Sequence, residues 1–312
     1  MSQHIVRSIA LLACLFLSPG CNRSDAPNKS GLEEKEPETA ASLEQQKKTI
    51  RIAVGGMITP KAGFGYYRQY LDYVGENLGM HVDFVDRENY AEINDLVRRG
   101  SVDVAFVCGG PYVDGHDAFG MELLVAPQAY GLQVYYSYII VGKTSTVNTF
   151  EELRGRSFAF TDPLSNSGAL VPTYMLARKH ESPKSFFKKV IFTRAHDKSI
   201  KAVALGIVDG AAVDSLIWEY ENRTSPEFTS RTKIILKSPP YGIPPVVVRP
   251  GLDPELKERI RRVFLNTNKD ARGREILKGM MIDKFLPIDD AAYASIRDMK
   301  VWIEKQKKIG KE

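Results

Sequence analysis

Apolar positions between residues 49 and 312 fall into short alternating runs separated by longer stretches with helical spacing. The runs 49–54, 81–85, 103–107 and 123–126 predict strands, and 64–78 and 90–99 predict helices, the second stopped by Gly100. A longer apolar run, 135–141, crosses into a second unit where the pattern repeats. There the spacing predicts a helix near 149–153, strand 157–161, helix 167–179, strand 190–193, helix 198–205 and strand 210–214. Alternation of this kind argues for α/β layers with mostly parallel sheets. After a strand at 234–237 comes Ser238-Pro239-Pro240-Tyr241-Gly242-Ile243-Pro244-Pro245, and then the apolar Val246-Val247-Val248. Prolines on both sides of this second crossing suggest a stiff hinge strand rather than a central ladder strand. Helices at 253–264, 272–277 and 290–306 close the chain and are expected to pack back on the first unit. The expected architecture is two α/β lobes, 49–138 plus 246–312 and 139–245, joined by two crossings around a cleft. Ligands favour such interfaces and the carboxyl ends of parallel strands.

One strand end stands out. The strand Ser157-Phe158-Ala159-Phe160-Thr161 runs into Asp162-Pro163-Leu164-Ser165-Asn166-Ser167-Gly168, and a helix follows with Leu170, Tyr174 and Ala177 on one face. Free backbone N–H groups and the positive end of the helix dipole gather at such a mouth. Ser165, Asn166 and Ser167 add two hydroxyls and an amide, so a tetrahedral oxyanion could be held without a lysine. The same residues are also ordinary N-caps, and the seven residues alone leave both readings open.

The ends of the chain differ in character. Arg7 and the apolar run 9–17 resemble an export signal, and nine apolar residues are too few to span a bilayer. Ser18-Pro19-Gly20-Cys21 resembles a lipoprotein processing site, with lipidation expected at Cys21; Leu11-Leu12-Ala13-Cys14 is a rival that leaves a short apolar region. Residues 22–48 are polar and charged, as in Leu32-Glu33-Glu34-Lys35-Glu36-Pro37-Glu38, and cannot bury enough surface to offset ordering entropy. They are expected to form a disordered tether, roughly 25–30 Å end to end, between a membrane anchor and the body.

Net charge is +5, with the signs mixed along the chain, and the Lys305-Gln306-Lys307-Lys308 end is read as solvated rather than nucleic-acid binding. Of three cysteines only Cys108 belongs to the body, so no internal disulfide is expected there. It ends the apolar run Val104-Ala105-Phe106-Val107 and is read as buried and structural. No metal spacing, Gly-x-Ser-x-Gly elbow or phosphate-loop lysine motif is present. Cys108 and His196 as nucleophile and base lack an orienting third group, so no enzyme and no cofactor are expected.

The order of elements, the block 162–168 and Val171-Pro172 resemble the periplasmic phosphonate/phosphite/phosphate-binding proteins of ABC importers. Further resemblance lies in Tyr67-Arg68-Gln69-Tyr70-Leu71-Asp72-Tyr73-Val74 with Asn77-Leu78-Gly79. Val102-Asp103-Val104-Ala105-Phe106, Gly110-Pro111-Tyr112-Val113, Ala195-His196-Asp197, Ala202-Val203-Ala204 and Val208-Asp209-Gly210-Ala211-Ala212-Val213-Asp214-Ser215 extend it over nearly the whole body. The resemblance implies a two-lobed periplasmic binding protein fold of type II, with Ser165, Asn166, Ser167 and Gly168 holding an oxyanion. It implies ligand contact for His196, otherwise a surface histidine before a helix. For Asp214 the alternatives are an acceptor for a protonated oxyanion or amine and an N-cap at Leu216. For Tyr67 and Tyr112 they are the opposite wall and ordinary packing; Tyr241 is a weaker candidate. Some aminophosphonate binders carry an acidic residue just before the return strand, where this chain has Ile243-Pro244-Pro245, so recognition of a ligand amine is left open and a smaller anion such as phosphite, methylphosphonate or phosphate is an equal expectation.

The expected function is an extracytoplasmic, lipid-anchored, monomeric solute-binding protein that hands a small anion to an ABC permease. A sensory protein presenting the anion to a membrane receptor or kinase is the alternative.

Overall fold

A computed structural model describes residues 48–55, 61–87 and 89–309. The export segment with Cys14 and Cys21, and the tether up to residue 47, lie outside the described residues.

Two sheets organise the body. The first takes strands β1 (Thr49–Gly55), β2 (His81–Arg87), β3 (Val104–Phe106) and β4 (Glu122–Gln128) from the first half of the chain. Strands β5 (Val134–Tyr135), β6 (Ser137–Gly142), β7 (Ser157–Phe160), β8 (Lys189–Phe192), β9 (Gly210–Asp214), β10 (Thr232–Lys237), β11 (Tyr241–Gly242), β12 (Val246–Val248) and β13 (Lys284–Leu286) follow. The first sheet has the order β13-β4-β12-β3-β1-β2 and the second β10-β6-β9-β7-β8. β1 pairs parallel with β2 and β3, and β7 pairs parallel with β8 and β9. In each sheet the strand nearest a crossing, β12 or β6, runs antiparallel to both neighbours. The topology is that of a two-lobed type II periplasmic binding protein.

Tyr241-Gly242, with a proline pair on either side, does form a separate ribbon, pairing antiparallel only with Tyr135 and Val134. By contrast Val246–Val248, just beyond the prolines, is a fully buried central strand.

The helices are α1 (Lys61–Leu78), α2 (Tyr90–Arg98), α3 (Gly109–Phe119), α4 (Val171–Ala177), α5 (Pro183–Phe186), α6 (His196–Ala204), α7 (Ser215–Thr224), α8 (Pro254–Asn266), α9 (Ala271–Gly279) and α10 (Ala294–Ile309). α1 buries Tyr67, Tyr70, Leu71, Val74 and Leu78, the spacing of one helical face. That face meets Phe106, Phe264 and Phe285 in the first core. The second core is aromatic, with Phe158 stacked on Phe187 at 4.4 Å and Phe150 on Phe186 at 5.5 Å.

Three expectations change. The segment 109–119 is a helix that the pattern does not announce, because it opens Gly-Gly-Pro and contains Gly115. Burial of Tyr112 and Val113 overrides those poor formers, and Gly120, at φ 77°, ends it. The segment 149–153 is only a 3-10 turn, Glu151–Leu153. Finally, α10 packs on α4 as well as α3, with Tyr174 edge-on to Trp302 at 5.3 Å, rather than on the first unit alone.

Candidate oxyanion-binding site

The site is assembled by strand ends. β7 leads into the turn at 161–168, β8 into His196 at the start of α6, and β9 into Asp214 before α7. Since β7 lies between β8 and β9, these three segments meet at one edge. From the first sheet, β2 leads to Tyr90 and β3 to Cys108 and Gly109 at the start of α3. The two edges touch: Tyr90, Cys108 and Leu164 form one apolar cluster. A Cβ on Gly110 would lie 2.2 Å from the Leu164 carbonyl oxygen.

The turn itself is a π-helical segment, Asn166–Leu170, capped by Ser165, whose Oγ accepts from the Gly168 N–H at 3.0 Å. The cap and the oxyanion readings therefore divide between neighbouring residues. Ser165 serves as cap, while Ser167 Oγ is buried without a partner. Asn166 Nδ2 donates to the Tyr135 hydroxyl at 3.0 Å, and its Oδ1 has no partner. Gly168 is required by packing, because a Cβ there would meet Thr161 Oγ1 at 2.5 Å and His196 Cε1 at 3.1 Å.

His196 is wholly buried. Its Nδ1 accepts the Asp214 backbone N–H at 3.0 Å, so the ring hydrogen sits on Nε2, which has no partner. Burial lowers its pKa to about 3, and the ring stays neutral. Asp214 is equally enclosed; its Oδ1 accepts from the Leu216 N–H at 2.7 Å, an N-cap. Burial raises its pKa to about 7 against the opposing pull of the Leu216 and Ile217 N–H groups. Its negative charge reaches Tyr67, Tyr90, Cys108 and Tyr135, which places it close to the cluster. Two helix mouths here lack side-chain caps, α3 behind Cys108 and α6 behind Ala195. Their first-turn N–H groups point positive ends inward.

The structure thus brings together Ser165, Asn166, Ser167, Gly168, His196 and Asp214. Tyr67 lies farther off, edge-on to Phe106 at 5.5 Å, where it lines with Asp214 a cavity of about 80 Å³. That cavity reaches Asp214 but not the 165–168 turn. Tyr112 is not brought to the turn: its hydroxyl donates to Asp290 Oδ1 at 2.7 Å and its ring packs on Tyr293. Tyr241 likewise points to the Met299 sulfur, 3.6 Å away.

Two tyrosines had no place in the sequence reading. Tyr90, whose buried hydroxyl is turned to the Ser165 side chain, packs against Cys108 and Leu164, and Tyr135 holds Asn166. Tyr90 follows a parallel strand end, so the rule that singled out the 165–168 turn would have found it in the first lobe. Tyr135 carries no such signal.

Against known proteins, residues 59–293 match the family model described as ABC transporter, phosphonate, periplasmic substrate-binding protein. The Phosphonates-binding periplasmic protein of Escherichia coli is 27% identical over 85% of this chain and 80% of its own length. The phosphate-import protein of Mycolicibacterium smegmatis is 25% identical over 84% of this chain and 82% of its own length. A crystal structure of a binding protein component of an ABC phosphonate transporter from Pseudomonas aeruginosa superimposes with a TM-score of 0.78. It is 25% identical and covers 84% of this chain and 88% of the other.

Proposed function

The chain belongs to the periplasmic substrate-binding proteins of phosphonate ABC transporters, and from that premise we propose that it captures a small, singly protonated phosphorus oxyanion by closure. It is a substrate-binding component, not an enzyme. In this reading lobe 49–138 plus 246–312 closes on lobe 139–245 about the β5–β11 ribbon. The anion docks on Ser167, Asn166 and His196, and Tyr90 meets it from the other lobe. Relatives of similar distance are named for phosphonates and for phosphate import, so the class is phosphorus oxyanions.

One observation carries the proposal. Ser167 Oγ, Asn166 Oδ1 and His196 Nε2 are all buried and without partners, and the buried Tyr90 hydroxyl is turned to the Ser165 side chain beside them. A buried polar group left unpaired costs about 1–3 kcal/mol, and native proteins keep few of them. Three together make closed lobes unfavourable until a ligand meets them, which couples closure to capture. Ser167, His196 and Tyr90 can donate to oxyanion oxygens. Asn166 Oδ1 accepts and asks for a ligand hydroxyl, which a singly protonated anion has and a fully ionised one lacks. A carboxylate at Asp214 disfavours the more highly charged form further.

Lipidation at Cys21 would hold the body near an ABC permease, to which the closed lobes deliver their cargo. A thermal-shift panel of phosphite, phosphate, methylphosphonate, 2-aminoethylphosphonate and sulfate tests the capture. A true ligand at a hundred times its Kd stabilises by about 2.7 kcal/mol. If none of the phosphorus anions raises the Tm, the proposal fails.

A further inference from the structure

The peptide unit that follows Ser167 is held at both ends. Its N–H, on Gly168, donates to Ser165 Oγ at 3.0 Å, and its carbonyl accepts the Ser137 hydroxyl at 2.6 Å. Ser137 and Ser167 are both wholly buried. The π-helical segment itself explains why the carbonyl needs a donor from outside. Leu170 N–H donates to the Ser165 carbonyl and Val171 N–H to the Asn166 carbonyl, each reaching five residues back. The next rung would bring residue 172 to the Ser167 carbonyl, and residue 172 is proline, which has no N–H. A buried carbonyl without a donor is costly, and turned toward an anion it presents the wrong sign.

Ser137 is itself held firmly. It opens β6, where its N–H donates to Ser238 Oγ at 2.9 Å and its carbonyl accepts the Ser238 N–H at 3.0 Å. The Ser238 hydroxyl in turn donates to the Pro239 carbonyl at 2.7 Å. On its other side Ser137 pairs with Asp214 of β9. A donor anchored in this way fixes whatever it holds.

We propose that Ser137 is a positioning residue for anion binding: it supplies the donor that Pro172 lacks, keeps the Ser167 carbonyl turned from the ligand and so sets the direction of the Ser167 hydroxyl, an inference that rests on the oxyanion reading above. Its hydroxyl is spent on the carbonyl and acts on the anion only through Ser167.

Calorimetric titration of the intact protein with phosphite, phosphate and methylphosphonate tests the assignment in wild type, Ser137→Ala, Pro172→Ala and the double variant. Ser137→Ala should weaken binding of the best of these anions about tenfold, the worth of one well-made hydrogen bond. Pro172→Ala alone should bind as wild type does. In the double variant the N–H gained at position 172 can complete the missing rung, so most of the lost affinity should return. A merely structural role for Ser137 would lower the Tm without that recovery of affinity. The double variant and Pro172→Ala should also bind alike, a comparison that holds even where Ser137→Ala fails to fold. Unchanged affinity in Ser137→Ala, or a loss that persists in full in the double variant, overturns the assignment while leaving oxyanion capture intact. Failure of the wild type to bind any of the three anions overturns both.

Discussion

The backbone N–H of Asp214 donates to Nδ1 of His196 across 3.0 Å, and this bond fixes which face of the imidazole can meet a ligand. With Nδ1 occupied as acceptor and burial holding the ring neutral, Nε2–H is a permanent donor. Nitrogen NMR of the ring should show the Nε2–H tautomer at every pH from 5 to 8, with no titration near the usual histidine value. A ring that titrates near 6.5 would refute the assignment.

Capture at this turn predicts a pH dependence through Asp214. Burial lifts its pKa to about 7 from an ordinary 3.8, so around neutrality the carboxyl passes from neutral to charged. Anion affinity should fall as pH rises through 7, and Asp214→Asn, which can still cap α7, should bind with a flatter profile. Stability follows the same sign: a raised acid contributes fully below about 4, and its contribution is gone above about 7. His196, lowered to about 3, works oppositely, contributing above 6.5 and losing its share as pH falls. Glu221, also raised to about 7 by burial, keeps part of the alkaline loss in the variant. A Tm-versus-pH curve for Asp214→Asn that overlays the wild type would contradict the placement.

Ser165 and Ser167 are chemically alike and should fail differently. Ser165→Ala removes the cap on the Gly168 N–H and should cost about 1 kcal/mol of stability. Ser167→Ala removes a hydroxyl that bonds nothing, so unliganded stability should hold or rise. Its loss should appear in anion affinity, about tenfold or more, because hydrogen bonds to charged groups are worth about 1.5–3 kcal/mol. Melting curves and calorimetry on the two variants separate these outcomes; a Ser167→Ala protein with unchanged affinity removes it from the site.

Gly110 sits where one lobe meets the other. A methyl there would come within 2.2 Å of the Leu164 carbonyl oxygen, so Gly110→Ala should wedge the lobes apart. Alanine is the better helix former, so the unliganded fold should not suffer. Small-angle scattering should show ligand-induced compaction in the wild type and none in the variant, with affinity reduced tenfold or more. Full compaction in Gly110→Ala would show that these surfaces do not form the closed contact.

At the other end of the chain, Cys21→Ser should move the protein from the membrane fraction to the soluble extract. Mass spectrometry should find a diacylglyceryl mass on the wild-type N-terminal peptide alone. An unmodified N-terminus in the wild type would refute the anchor.

Local chemistry explains how much was readable in advance. The run 157–177 announces strand, polar turn and helix because every signal lies within a few residues, and the prolines around Tyr241-Gly242 mark the hinge ribbon for the same reason. Tyr112 shows where locality ends. It sits in a glycine-rich block beside the expected site, yet its hydroxyl belongs to Asp290, 178 residues away.

The sequence by itself determined the alternation of elements, the strand end that carries the serines and the change of direction at the proline-flanked crossing. Hydrophobic period, caps and proline geometry act within a turn or two, so they are written along the chain. Which serine caps and which remains unpaired, which imidazole nitrogen carries the proton, and which tyrosines pack at the serine turn were settled only by the tertiary structure. Those outcomes depend on burial and on partners brought from β2, β3, β7, β8 and β9, and no local pattern encodes where distant strand ends will meet.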